Sequence, residues 1–152
     1  MQLYRIARSL YATDMSGTGA RLYGGRWNNI GRSMVYTASS RSLAVLEVLV
    51  HLPPTIIPDD FRLITFDAPD DVFEPDVNTF PPNWDTYPEP DILKRTGDFF
   101  LIQNQHLLMK VPSAIVKQEY NYLINPVHAK AGKIKVIANE PFTFDERLLK
   151  DQ

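Results

Sequence analysis

Hydrophobic and polar positions divide the chain into short runs of two different periods. Leu3 to Ile6 alternates weakly, which predicts an opening strand with Tyr4 and Arg5 on opposite faces and Arg5 able to point inward. Met34 to Ala38 reads as a short buried strand, and Phe61 to Phe66 as an alternating one that follows the proline-rich turn Pro53 to Pro58. Between them, Leu43 to Leu52 is apolar apart from Glu47 and His51, so the helix predicted there is hydrophobic nearly all round and is expected to be buried. Ser39 and Ser40 supply its N-cap, and Pro53 and Pro54 stop it. Asp67 to Pro90 differs in character: acidic and proline-rich, anchored by Trp84 and Tyr87, it predicts a long irregular surface segment. Ile92 to Leu108 predicts a helix weakened in its middle by Gly97. Lys110 to Lys117, Asn121 to Asn125, Lys133 to Ala138 and Phe142 to Phe144 predict further strands, and the charged tail from Asp145 a last turn. Strands outnumber helices, so the fold class expected is α+β with a mixed or antiparallel sheet.

Within this pattern Arg26, Tyr36 and Glu47 are polar groups set among segments built for burial. An unpaired carboxylate inside an apolar helix is strongly unfavourable, so Glu47 is expected to be paired, protonated or kept for chemistry, with Arg26 as its nearest sensible partner. Gly24, Gly25 and Gly31 flank Arg26 and Trp27 and allow a backbone to come close to a ligand. Thr13 to Gly25, which includes Ser16, Gly17 and Thr18, offers amides and hydroxyls suited to phosphate oxygens, although its spacing matches neither the dinucleotide fingerprint nor a P-loop. A turn-rich connection explains the same glycines.

An arginine fork suits a pyrophosphate, an aromatic plane a heterocycle, and a carboxylate a developing positive charge. Together with the hydroxyl of Ser113, these groups suit cleavage at the anomeric carbon of a nucleotide ribose, where the transition state resembles an oxocarbenium ion. The bland reading of the same residues is a structural Arg26–Glu47 ion pair, a core tyrosine and a turn serine. His51, His106 and His128 show no metal-ligand spacing, so no metal is expected.

Composition narrows the class. With 152 residues, 44% of them hydrophobic, residues 1–152 are expected to form a single domain around one substantial core. A formal charge of −2 with interleaved signs gives no basic stripe, which argues against nucleic acid and for a small molecule or a protein as partner. There is no cysteine for a disulfide framework, and the opening residues lack the apolar core of a signal peptide. No apolar run approaches the roughly 20 residues of a membrane helix, so the expectation is a soluble, cytoplasmic protein that does not engage a membrane.

Six stretches then carry a resemblance: SGTGA at Ser16 to Ala20, GGRWN at Gly24 to Asn28, VYTA at Val35 to Ala38, LEVLVHL at Leu46 to Leu52, VPSA at Val111 to Ala114, and NYLINPVH at Asn121 to His128. In this order the chain resembles the RES-domain family, toxins of bacterial toxin–antitoxin pairs named for an arginine, a glutamate and a serine. Those residues fall on Arg26, Glu47 and Ser113, and a pocket tyrosine on Tyr36. The resemblance implies an ADP-ribosyltransferase-like split mixed sheet with short helices. It implies NAD+ as substrate, cleaved at the nicotinamide–ribose bond and passed to water, phosphate or a protein side chain. Catalytic roles are then expected for Arg26, Glu47 and Tyr36, and substrate-binding roles for Ser113, Ser16, Gly17, Thr18, Gly25, Asn125 and His128. The implied partner is an Xre-type helix-turn-helix antitoxin, which would supply any DNA binding.

Overall fold

The computed structural model describes residues 1–53 and 56–149. Pro54, part of the expected helix stop and of the proline-rich turn, lies outside these residues, as does the end of the charged tail. Among the described residues the strands are β1 (Gln2–Arg8), β2 (Val35–Ala38), β3 (Phe61–Asp67), β4 (Val72–Phe73), β5 (Leu108–Pro112), β6 (Tyr120–Ile124) and β7 (Lys135–Pro141). They form one sheet in the order β4-β5-β6-β2-β1-β3-β7. The β4–β5 pair is parallel and the other pairs are antiparallel, which makes the sheet mixed. Among the described residues three short α-helices accompany it: α1 (Thr18–Tyr23), α2 (Arg41–Leu49) and α3 (Asp91–Gln103).

Side-chain alternation sorts the core into layers. Leu3, Val35, Ile64, Phe66, Leu108 and Ile124 form one cluster on one face. The residues next to them in sequence point the other way and meet the helices. Tyr4, Ile6, Ala38 and Phe61 pack with Leu43 and Ala44 of α2, whereas Trp27, Met109 and Leu123 pack with Leu93 and Phe100 of α3. The two helices thus sit side by side on one face. Beneath the gap between them the sheet is weakest: β1 meets β2 through a single residue pair, Tyr4 with Ala38, while β1 runs beside β3 over its whole length.

Several elements depart from expectation. Helix α2 is not buried all round; Leu43 and Ala44 are enclosed, Val45, Val48 and Leu49 are half-buried against the core, and Val50 is exposed. Its apolar surface exceeds what one sheet face can cover. Helix α3 stops at Asn104, which takes φ 52°, so of the predicted helical end Leu107 lies outside any helix or strand and Leu108 starts β5, both fully buried. The strand expected to reach Lys117 ends at Pro112. Of the two late strands only Lys133 to Ala138 has a counterpart, β7, which starts at Lys135 and runs on to Pro141; Phe142 to Phe144 forms no strand and lies beyond it, with the Phe144 ring edge-on to both Phe61 and Phe142. Helix α1 lies in the stretch read as a loop, and β4 in the segment read as irregular.

Two contacts can be tested. A Cβ on Gly97 of α3 would lie 1.6 Å from the carbonyl oxygen of Trp27, so helix and loop touch backbone to backbone. Gly97→Ala is expected to destabilise the fold by about 3 kcal/mol, at the upper end of overpacking effects, read as a lowered urea midpoint. At the β4–β5 edge, hydrogen bonds from His106 (2.8 Å) and Lys130 (2.9 Å) hold the Asp71 carboxyl down at about 2. A folded-state value below the unfolded value of about 3.9 gives stability that is present above that pH and lost as pH falls toward 2. Asp71→Asn should therefore be less stable than the parent at pH 7, with the gap closing between pH 4 and pH 2 in thermal melts.

Candidate active site

The weak seam between β2 and β1 opens into a cleft of about 1230 Å³, walled by Gly25, Arg26, Tyr36, Glu47, Lys94 and Asn121 among others. That is ample for a small-molecule ligand. One wall is α2, started by the Ser40 hydroxyl, which accepts the Leu43 amide at 3.1 Å. From it Glu47, half-buried, reaches the cleft. Its Oε1 accepts hydrogen bonds from Ser113 Oγ at 2.8 Å and from Asn121 Nδ2 at 2.7 Å. Among the described residues no donor is paired with Oε2. The Ser113 hydroxyl in turn accepts the amides of Ile115 (3.0 Å) and Val116 (3.1 Å). With its lone pairs occupied, its proton has one direction left, toward Glu47.

Arg26 is elsewhere. Its Nη1 donates to the carbonyls of Trp84 and Thr86, both at 3.1 Å, and ties the loop Gly24–Asn28 to the strap formed by residues 81–90. The expected Arg26–Glu47 ion pair is therefore overturned, because each group finds partners closer in space than the other. A purely structural ion pair no longer explains Glu47.

Tyr36, on β2, turns its ring to the cleft and its hydroxyl inward. The hydroxyl donates to Asn28 Oδ1 at 2.6 Å and accepts the Trp27 amide at 3.1 Å. Burial pushes it well above the usual phenol range, against the opposing pull of the Trp27 amide, so it stays a neutral donor. A side chain on Gly25 would sit 2.5 Å from this hydroxyl, which is why the position has none. Lys94, from α3, closes the same wall: its ammonium bonds the Gly25 carbonyl at 2.8 Å and Glu89 at 2.9 Å. On the far side, Lys117 pairs with Asp85 of the strap at 2.6 Å.

Of the remaining sequence candidates, Gly17 and Thr18 line the cleft. Ser113 stands behind Glu47, fully buried. Ser16 is turned aside, 2.7 Å from the Thr18 hydroxyl. Asn125 and His128 do not reach the cleft. Asn125 is fully buried, donating to Asn104 Oδ1 at 2.8 Å and accepting the Val127 amide, and His128 Nδ1 accepts the Lys130 amide at 3.0 Å. Both shape the turn after β6, as short polar side chains beside a proline do. Sequence reasoning passed over Asn28, Lys94 and Asn121. For Asn121 a signal exists: it shares the inward parity of Leu123 on β6, where an apolar residue is the rule.

The RES domain family model matches residues 2–145, and the chain belongs to that family. It is 41% identical over 153 residues to "Toxin Res" of Photorhabdus laumondii subsp. laumondii, covering 99% of this chain and 98% of that protein. It is 38% identical over 148 residues to "Prs ADP-ribosylating toxin" of a Sphingobium species, covering 95% of this chain and 92% of that protein. Its fold is also that of a chain in the crystal structure of the M. tuberculosis MbcT–MbcA toxin–antitoxin complex. The TM-score is 0.73 at 20% identity, over 93% of this chain and 84% of that one.

Tyr36→Phe would strand the Trp27 amide and the Asn28 carbonyl inside the protein. An unpaired buried group destabilises by about 1–3 kcal/mol, so a loss in that range is expected in urea titration even with no ligand present.

Proposed function

We propose that this chain is the toxin of a bacterial toxin–antitoxin pair and that it depletes NAD+ by breaking the nicotinamide–ribose bond. The observation that carries the reading is Glu47, which lines a cleft large enough for a nucleotide and has one carboxylate oxygen locked by two donors while, among the described residues, the other has none. Its relatives' names support the toxin role, and the solved structural neighbour is a toxin–antitoxin complex. Residues 1–152 act as one RES domain in the cytoplasm, countered by an Xre-type helix-turn-helix antitoxin that carries the DNA binding.

In the proposed reaction the C–N bond breaks and its electron pair goes to the pyridinium nitrogen, so nicotinamide leaves neutral. The positive charge passes to the ribose carbon and its ring oxygen. Glu47 faces that charge, and a carboxylate already fixed in place stabilises it without having to reorganise. Tyr36 packs its ring against nicotinamide or ribose. The edge of the Arg26 fork not bound to the strap meets the pyrophosphate, and Gly17, Thr18 and Gly25 line its path. Ser113 holds the carboxylate from behind. Water, which gives up a proton to solvent, or phosphate then attacks the ribose carbon, giving ADP-ribose or its 1-phosphate.

A second reading, protein ADP-ribosylation, is favoured by the name of the Sphingobium relative. It differs only in the acceptor. Labelled NAD+ separates the two, since label fixed on protein marks a transferase and free labelled ADP-ribose or its phosphate marks depletion.

Glu47→Gln tests the chemistry. The glutamine carbonyl can accept the same two hydrogen bonds, so the variant should melt within a few degrees of the parent. Nicotinamide release should fall by a factor on the order of 100 or more, as when one preorganised electrostatic group is removed. Release at the parental rate by folded Glu47→Gln would sink the proposal.

A further inference from the structure

Asn121 sits at the centre of the sheet, opposite Ala38 of β2 and Val111 of β5, with its side chain on the cleft wall. Its amide is divided. Nδ2 donates to Glu47 Oε1 at 2.7 Å, whereas Oδ1 is shielded from solvent and has no hydrogen-bond partner. Rotating the amide would not help, because it would set Oδ1 against the carboxylate oxygen and lose the bond. The carbonyl is thus fixed in an unpaired state by the same contact that orients Glu47. A buried acceptor without a donor is unfavourable and calls for an explanation, which in a cleft is most directly a ligand. The register partner of Asn121 on β2 is Ala38, which has a small side chain.

We propose that Asn121 is a further residue of the reaction centre: Nδ2 holds the Glu47 carboxylate in register, and Oδ1 accepts a hydrogen bond from a hydroxyl of the substrate's reacting ribose. The inference rests on the NAD+ reading above. Its geometry follows from the width of one amide. A group bonded to Glu47 Oε1 through nitrogen presents its oxygen right beside the carboxylate, where the hydroxyl next to the anomeric carbon must lie if Glu47 faces that carbon. Asn121 therefore links recognition of the sugar to placement of the charge. An aspartate would keep the acceptor and lose the donor; an alanine would lose both.

The test compares the parent, Asn121→Ala and Asn121→Asp, using nicotinamide release from NAD+ and from the analogue lacking the 2′-hydroxyl on the nicotinamide ribose. For Asn121→Ala, kcat with NAD+ should fall on the order of 100-fold, as for loss of one preorganised donor. The preference for NAD+ over the analogue in kcat/KM should shrink by about tenfold relative to the parent, the size of one hydrogen bond; the analogue's intrinsic reactivity cancels in this comparison. Asn121→Asp should lose kcat yet keep the preference, and it provides the kcat test by itself if the alanine variant fails to fold. In a Glu47→Gln background Asn121→Ala should add little, since both act on one carboxylate. Variants within threefold of the parental kcat would overturn the positioning role, and an unchanged preference in Asn121→Ala would overturn the hydroxyl contact. If the parent itself releases no nicotinamide, the NAD+ reading fails and takes this inference with it.

Discussion

The pairing of β1 with β2 is reduced to Tyr4 and Ala38, and the rest of the molecule is arranged around that seam. Strands that pair over several residues zip their side chains into a continuous layer; a single pair lets the two halves of the sheet diverge. The halves are then held by what lies across the gap. Helix α2 clamps the β1 side through Leu43 and Ala44 against Tyr4 and Ile6, and α3 clamps the β2 side through Leu93 and Phe100 against Trp27 and Leu123. Because the helices stand on the same face without filling the space between them, a cleft is left with a different wall on each side. The half-exposed α2 is the consequence: a helix that lines a cavity cannot be enclosed all round.

The strap of residues 81–90 forms the rim of this cleft, and its attachment follows from the same geometry. Its ion pairs, Lys117 with Asp85 and Lys94 with Glu89, are partly exposed and contribute little individually. More comes from Trp84 against the Phe80 ring, which in turn meets the buried Trp27, and from two strap carbonyls bound by the Arg26 guanidinium. A guanidinium that crosslinks a loop through one edge keeps its other edge in a defined orientation. Arg26 can therefore be structural toward the strap and available toward a ligand, a combination that lysine, with one ammonium group, does not provide.

Much of this frame was legible in the chain. The strand at Val35–Ala38, the serine cap of α2, the alternation of Phe61–Phe66 and the excess of strands over helices follow from local periodicity, which structure preserves. What failed depends on distant contacts. Glu47 was matched with Arg26 because they are near in sequence, yet its donors, Ser113 and Asn121, lie more than sixty residues away, brought in by β5 and β6. Strand β4 is two residues long and has no period to detect; it exists because β5 offers it an edge. Asn125 and His128 carry ligand-like side chains, but the turn after β6 consumes their hydrogen bonds. Polar residue type alone does not distinguish a turn from a site; position relative to the cleft does, and that is a property of the sheet.

The choice of partners for Glu47 also has a physical logic. A cation against this carboxylate would fix its position, but would offset its field on a developing ribosyl cation, the one place where the proposed reaction needs it. A bare carboxylate would keep its field and lose its orientation. Neutral donors resolve the conflict, since a serine hydroxyl and an asparagine amide immobilise one oxygen while leaving the net charge in place. The backbone amides of Ile115 and Val116 extend the same device by aiming the serine proton. Arg26 is tied to the strap and not paired with Glu47, so in the proposed reaction the task of holding the substrate's anionic part falls to a different group from that of meeting its cationic one.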